Sequence, residues 1–358
     1  MERSPAISDD VSLRSESVIL QQGSNPSRTP AFSCASSPIR TCAIATVTTG
    51  LIALALAFVL PDYRLFQGTM LMAYAVSLLG LNLLTGYNGQ FSLGHGAFFA
   101  IGAYTVAILV DRYELSFVLS LLAAGVLCFV VGYLFGFPAL RFEALYLALA
   151  TFSLALALPQ LLKARPFEGL TGGVQGVALI KPDAPFGWQL TADQWLYCCA
   201  VVLTAVMFLI AAALVHSAVG RALIAIKDHP AAAEAMGVNI NRHKAITFGI
   251  SALYTGVGGG LSALAVQFVA PDSFTAFLSI SLVIGIVVGG VGTLSGALYG
   301  AVFLVFTPVL TDSISKNAPW VVYGVVLIAV IFLMPAGIAG GLHNLISKYR
   351  ASKDAARN

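Results

Sequence analysis

Between Gly80 and Tyr104 the chain sets uncharged polar side chains among glycines: Gly-Leu-Asn-Leu-Leu-Thr-Gly-Tyr-Asn-Gly-Gln-Phe-Ser-Leu-Gly-His-Gly-Ala-Phe-Phe-Ala-Ile-Gly-Ala-Tyr. Gly86, Gly89, Gly94 and Gly96 interrupt helical continuity. Tyr87, Asn88, Gln90, Ser92 and His95 bring hydroxyl, amide and imidazole groups to the interruption. Such a stretch offers hydrogen bonds and backbone dipoles, without a fixed ion, to a solute crossing an apolar region. Backbone left unpaired in lipid is costly, so the stretch is expected to line a cavity or to lie buried against other helices. A plain turn between two spans is the competing reading. No nucleophile–base set, metal-ligand spacing or Gly-x-x-x-x-Gly-Lys phosphate loop occurs in the sequence, and one histidine does not make a catalyst. The chain is expected not to be an enzyme and to need no cofactor.

A second polar island runs from Gly220 to Gly237 between two long apolar runs. Asp228 is placed to cap a helix, with Pro230 in the first turn. Ala231 to Met236 are strong helix formers, and Gly237 suits a left-handed stop. A short helix standing clear of a bilayer can lie in a partner's groove; an ordinary solvated loop is the alternative. Glu234, Met236 and Gly237 are the candidate contacts, with Arg221 and Lys227 beside them and His229 exposed. A third cluster, Gly289, Gly290, Gly292 and Gly296, predicts close helix packing, with a substrate-path role second.

The elements that hold these groups are membrane spans. The chain is 58% hydrophobic and 10% charged, whereas soluble domains carry about 25% charged residues. Its apolar runs are continuous rather than alternating, as helices require and barrel strands do not. Ten runs stand near the roughly 20 residues a span needs: 42–60, 67–85, 95–110, 115–137, 143–162, 195–215, 244–269, 276–290, 294–311 and 319–335. The third, eighth and ninth are short and abut glycine-rich turns, which predicts helices that begin or end inside the membrane.

Residues 1–40 are rich in Ser, Pro, Arg and Asp and are expected to be a disordered tail. The membrane-spanning core is expected over 41–342, with a 163–194 outer loop and a second tail at 343–358. Lys and Arg gather in the tails and in the 220–240 region, where Arg221 and Lys227 are followed by Arg242 and Lys244. This asymmetry predicts that both tails and the loop are cytoplasmic. The net charge of +3 gives no argument for nucleic acid. The five cysteines suggest no disulfide framework. No charged residue sits at the centre of a run, which argues against a proton- or sodium-coupled carrier. The ordered 220–237 segment argues against a passive channel.

The Gly80–Tyr104 block resembles the signature of the branched-chain amino acid permeases of ABC importers, LivM branch. The resemblance continues through Pro138-Ala-Leu-Arg141, Tyr146–Thr151, Leu170-Thr-Gly-Gly173 with Gly176, Gly220–Asn239 and Gly289–Gly296, covering roughly residues 45–342. It implies an all-α polytopic bundle of the type II importer kind, lodged in the bacterial inner membrane. It also implies a homologous second permease, two ABC ATPase subunits that bind the ATP, and a periplasmic amino-acid-binding protein meeting the 163–194 face. The 220–237 segment takes the place of the coupling loop. Relatives of similar sequence move urea, short amides or aromatic acids, so these cargoes stay open beside leucine, isoleucine and valine. One departure is Ala336, where relatives tend to have Arg.

Overall fold

The computed structural model describes residues 39–139, 144–182, 184 and 190–314, and further on 324–325, 327–329, 332, 334 and 337–342. The first expected tail apart from Ile39 and Arg40, the whole of the second, Arg141, Trp188, Ala336 and most of the 319–335 run lie outside the described residues.

The described chain is helical. Its elements are α1 (Ile39–Leu56), α2 (Asp62–Asn82), α3 (His95–Tyr113), α4 (Phe117–Ala139), α5 (Ala144–Leu162), α6 (Arg165–Thr171), α7 (Ala192–His216), α8 (Ala218–Asp228), α9 (Pro230–Ala235), α10 (Ile240–Val266), α11 (Ala276–Gly289) and α12 (Leu294–Ile314). Two short strands, β1 (Val177–Ala178) and β2 (Phe268–Val269), pair antiparallel with Val177 opposite Val269. Among the described residues seven helices are long and apolar enough to cross a membrane. They become eight if α5 and α6, bent by 78°, form one span. The α1 region supplies a shorter apolar helix.

Local chemistry sets the helix ends. Thr191 and Gln194 form a reciprocal capping box at the start of α7, and the Asn239 carboxamide accepts from Arg242 N to start α10. Each such cap contributes about 1 kcal/mol. At their far ends α3 and α10 stop at Glu114 and Gln267, both in the left-handed conformation.

α10 is the central post, packed against α2, α3 and α4. Lipid gives helices no hydrophobic reason to associate, so close approach of backbones must do it. Gly256, Gly258 and Gly259 of α10 serve this end. A Cβ on Gly259 would overlap the carbonyl of Phe99, and one on Gly102 the carbonyl of Gly256. Around this core α7 packs on α1 and α2, while α11 and α12 pack on each other and on α2.

Side-chain links define the two ends of the bundle. At one end Lys227 meets Gly86. At the other, Thr191 Oγ1 donates to Asp62 Oδ1 at 3.3 Å, and Arg112 donates to the Gly169 carbonyl. The break between α2 and α3 therefore sits at the α8–α9 end, where a turn between two spans belongs, yet it is buried.

α11 begins level with the middle of α3, although Thr275 and Phe277 at its start are exposed. The ring of Phe274 lies 6.3 Å from Phe99 and 6.0 Å from Tyr104. Tyr104 is only the tenth of the 19 residues of α3, so α3 continues about 14 Å beyond that level. The short eighth run is thus explained at its N-terminal side, whereas the glycines of Gly289–Gly296 form its far turn.

Candidate functional site

α2 runs on through a π-helical turn, Leu83–Tyr87, before the chain bends at Gly89, whose φ is +72°. Gly86 lies within that turn. A Cβ there would meet the Gly292 backbone nitrogen at 2.5 Å. Asn82 joins this turn to the one between α11 and α12: its Oδ1 accepts from Gly292 N at 2.8 Å and its Nδ2 donates to Thr293 O at 2.6 Å. Gly290 and Gly292 have φ of +123° and +79°, and a Cβ on Gly289 would overlap the carbonyl of Gly296. Gly86 and Gly292 bring the two turns together, while Gly289, Gly290 and Gly296 close the α11–α12 turn on itself.

The polar groups of the break point inward. Gly94 N donates to Ser92 Oγ at 3.3 Å. His95 Nδ1 stands 3.0 Å from Ser92 Oγ, and its Nε2 stands 2.7 Å from Ser251 Oγ. Ser251 Oγ donates to the Gly80 carbonyl at 2.7 Å. Because the Ser251 hydroxyl proton is committed to Gly80, Nε2 must carry hydrogen and donate to Ser251, and Nδ1 must accept from Ser92. Both ring nitrogens are used, so His95 is a buried clasp between α3, α10 and α2.

Gly94 caps α3 and Gly96 lies within its first turn, not in the break. Gly96 N donates to Ser279 Oγ of α11 at 2.9 Å, and Leu93 N donates to Thr151 Oγ1 of α5 at 3.0 Å. Asn88 Nδ2 donates to Gln90 Oε1 at 2.8 Å, while Asn88 Oδ1 is buried with no hydrogen-bond partner among the described residues. Tyr87 is buried as well. Asn82, Thr151, Ser251 and Ser279 complete the constellation. Sequence reasoning missed them because serines, threonines and asparagines inside apolar helices carry no spacing signal.

The polar island folds into two short helices. α8 turns Gly220, Leu223 and Ile226 inward and is capped by Ser217, whose Oγ accepts from Val219 N at 3.2 Å. α9 starts at Pro230 with His229 at its cap position and no side-chain cap bond. The expectation for Asp228 is corrected here: it closes α8, because the helical pattern of apolar residues begins at Ala218 and uses Asp228 as its last turn. Gly237 takes φ +84° and donates its N–H to Glu234 O at 2.9 Å. No atom lies within 4 Å of a Cβ placed on it. Met236 is 85% exposed, and Arg221, His229 and Glu234 are exposed too. Lys227 is exposed as well, but its ammonium has a partner in the bundle. Its Nζ donates to the Gly86 carbonyl at 2.7 Å, and its stem lies over Gly89, where a Cβ would meet Lys227 Cγ at 3.0 Å.

At the opposite end, Thr171 Oγ1 donates to Leu162 O at 2.7 Å and accepts from Gly173 N at 3.2 Å. Gly172 ends α6 at φ +71°, and Gly176 packs against Val269 O. The Thr-Gly-Gly motif thus shapes the turn that carries β1 to β2. Lys163 pairs with Asp272 at 2.5 Å and Lys181 with Asp193 at 2.6 Å. Trp195, with Phe117, Leu121, Cys199 and Leu261, lines an apolar groove of about 630 Å³ between α4, α7 and α10.

With this geometry in place the likenesses to known proteins are informative. Residues 63–335 match the family described as "Branched-chain amino acid transport system / permease component". The high-affinity branched-chain amino acid transport system permease protein LivM of Salmonella typhimurium is 30% identical over 293 residues, covering 75% of this chain and 68% of that one. LivM of Escherichia coli is similar to the same extent. LivH of Salmonella typhimurium is 25% identical over 300 residues, covering 77% and 94%. No solved structure matches the chain. The apolar helices and the matched family agree, and the chain is a multi-pass membrane protein belonging to the branched-chain amino acid transport system permease family.

Proposed function

We propose that this chain is one permease subunit of an ATP-driven importer for leucine, isoleucine and valine in the bacterial inner membrane. It would pair with a homologous second permease, two ATPase subunits and a periplasmic amino-acid-binding protein. On this reading both tails and α8–α9 are cytoplasmic, the bundle completes about ten spans, and the architecture is that of a type II importer. The observation that carries it is the loop helix pair. α8–α9 offers Met236, Glu234 and Gly237 to the outside while Lys227 reaches back into the α2–α3 break.

The mechanism follows from that linkage. A rigid shift of α9 on the ATPase surface moves α8, because the two helices adjoin at His229. Lys227 carries the shift to Gly86, and Asn82 carries it to the turn before α12. The break is the side of the path that moves. Asn88 is the group there with an acceptor to give a passing solute, with Gln90 and Tyr87 beside it and Ser92 and His95 holding the shape. A zwitterion needs such dipoles and not a matching ion. ATP binding and hydrolysis belong to the partner subunits, and this chain contributes no catalytic group.

Uptake of radiolabelled leucine into proteoliposomes tests the reading, with binding protein outside and ATP inside. Uptake that needs ATP supports it. Uptake without ATP points to a facilitator or carrier. ATP-driven uptake of urea, a short amide or an aromatic acid in place of leucine keeps the machine and changes its cargo.

A further inference from the structure

We propose that the cavity between α1, α7 and α12 binds an uncharged amphiphile of the membrane by its carbonyl oxygens, with Thr204, Ser295 and Tyr299 as hydroxyl donors. The inference goes beyond the importer reading and needs only that the chain spans a membrane.

The cavity measures about 280 Å³. α7 supplies its floor with Val201, Thr204 and Phe208, and α2 adds Met72. α1 forms one wall with Thr49 and Gly50. α12 forms the other with Ser295 and Tyr299, one turn apart on the same face. Thr49 and Ser295, on the two walls, are exposed, so the cavity has an open side.

Thr204 carries the argument. It is 6% exposed, and its Oγ1 has no hydrogen-bond partner among the described residues. A helical threonine has a simple way to avoid this, by donating to the carbonyl four residues earlier. Thr48, Thr69, Thr105, Thr247 and Thr255 all do so. Thr204 does not, and its side chain lines the cavity. A buried hydroxyl without a partner costs about 1–3 kcal/mol. An acceptor brought into the cavity removes that cost.

The lining selects the acceptor. Among the described residues no charged side chain lines the cavity, so an ion or a zwitterion enters without a counter-charge, at heavy cost. Water needs several polar partners around it, whereas the hydroxyls here alternate with Val201, Met72, Phe208 and Leu298. A molecule with an apolar body and carbonyl oxygens uses both kinds of surface. Depth agrees with this. Thr204 stands about 18 Å along α7 from its end at α8, inside a hydrocarbon core about 30 Å thick. What reaches such a place from the side is dissolved in the membrane. Ester-linked lipids and quinones both carry the required carbonyls.

The test is native mass spectrometry of the assembled transporter in detergent, with thermal melting beside it. The added probes are an ester-linked phosphatidylglycerol, its ether-linked analogue with the same chains, and a short-chain ubiquinone. Wild type is expected to retain the ester lipid or the quinone saturably, and to hold the ether analogue at least tenfold more weakly. Whichever carbonyl probe is retained names the source and supports the proposal. Thr204→Val keeps the shape of the side chain and is expected to weaken that binding at least fivefold. Without probe this variant should melt no lower than wild type, because it drops an unmet hydroxyl. With probe only wild type should gain in melting temperature. Ser295→Ala with Tyr299→Phe, which leaves the floor intact, is expected to weaken binding at least threefold. Equal retention of ester and ether lipid overturns the proposal, as does wild-type binding by Thr204→Val. Retention of no probe overturns it too, whether water or a neighbouring subunit fills the cavity.

Discussion

The ammonium of Lys227 lies 2.7 Å from the carbonyl oxygen of Gly86, joining two helix systems that are 141 residues apart in sequence. The bond is short and charge-assisted, and Gly89 leaves room for the lysine stem above it. On the importer reading proposed above, this contact would make α8 a lever on the α2–α3 break.

Replacing the lever while keeping its bulk should uncouple the machine. Lys227→Met retains the stem over Gly89 and removes the bond, whose net worth is about 1.5–3 kcal/mol for a charged donor. The expected result is a folded assembly that takes up at least fivefold less leucine per ATP hydrolysed. Uptake and hydrolysis measured in the same proteoliposomes give the ratio.

On the same reading, the exposed side of the loop predicts a different loss. Met236 is the most exposed large apolar side chain of α8–α9, and a flexible thioether suits an adaptable groove. Met236→Ala is expected to weaken capture of the ATPase subunits by about 1–2 kcal/mol, the scale of an interface anchor. Co-purification at graded salt and detergent reads this directly, with thermal stability of the permease unchanged.

The His95 clasp predicts stability without selectivity. Ser251→Ala removes the acceptor of Nε2–H and the donor to Gly80 at once. Leaving the buried His95 N–H without a partner should cost about 1–3 kcal/mol, while the Gly80 carbonyl keeps the N–H of Leu83. The permease should melt at lower temperature in detergent, while the surviving protein keeps its cargo preference.

Close packing predicts the sharpest structural sensitivity. Gly102→Ala forces a methyl group into the Gly256 carbonyl, so α3 must move off the central helix. Little or no folded protein is expected from expression in membranes. Gly237→Ala offers the contrast: nothing surrounds it, and only the left-handed backbone is strained, by about 1–2 kcal/mol. That variant should insert normally.

Much of this architecture was legible in the sequence. The long apolar runs become α2 through α5, α7, α10, α11 and α12 with ends shifted by a few residues, because length and continuous hydropathy are what a bilayer selects. The Gly237 stop was legible for the same kind of reason, since φ +84° suits glycine above other residues. The roles of Asn82, Ser251 and Ser279 were not. Each acts through a partner more than 150 residues away, and no local pattern encodes which helix will stand opposite. Lys227 shows the same gap: its charge and position suggest a partner's surface, and only the folded chain turns it toward Gly86. The shortness of the eighth run was legible, but not that it falls short at its N-terminal side, because its glycine-rich turn stands at the other end.

The most direct test of the coupling account is ATP-dependent leucine uptake by the assembled transporter carrying Gly237→Pro, beside wild type. Proline cannot adopt φ +84° and has no N–H for Glu234, and it disturbs the backbone of Met236 before it, yet a Cβ at this position meets no atom within 4 Å, so the disturbance should stay in the loop and the bundle itself should fold. The account predicts an inserted, thermally stable permease whose ATP-driven uptake falls at least tenfold. Wild-type uptake by that variant would contradict the role given to α8–α9.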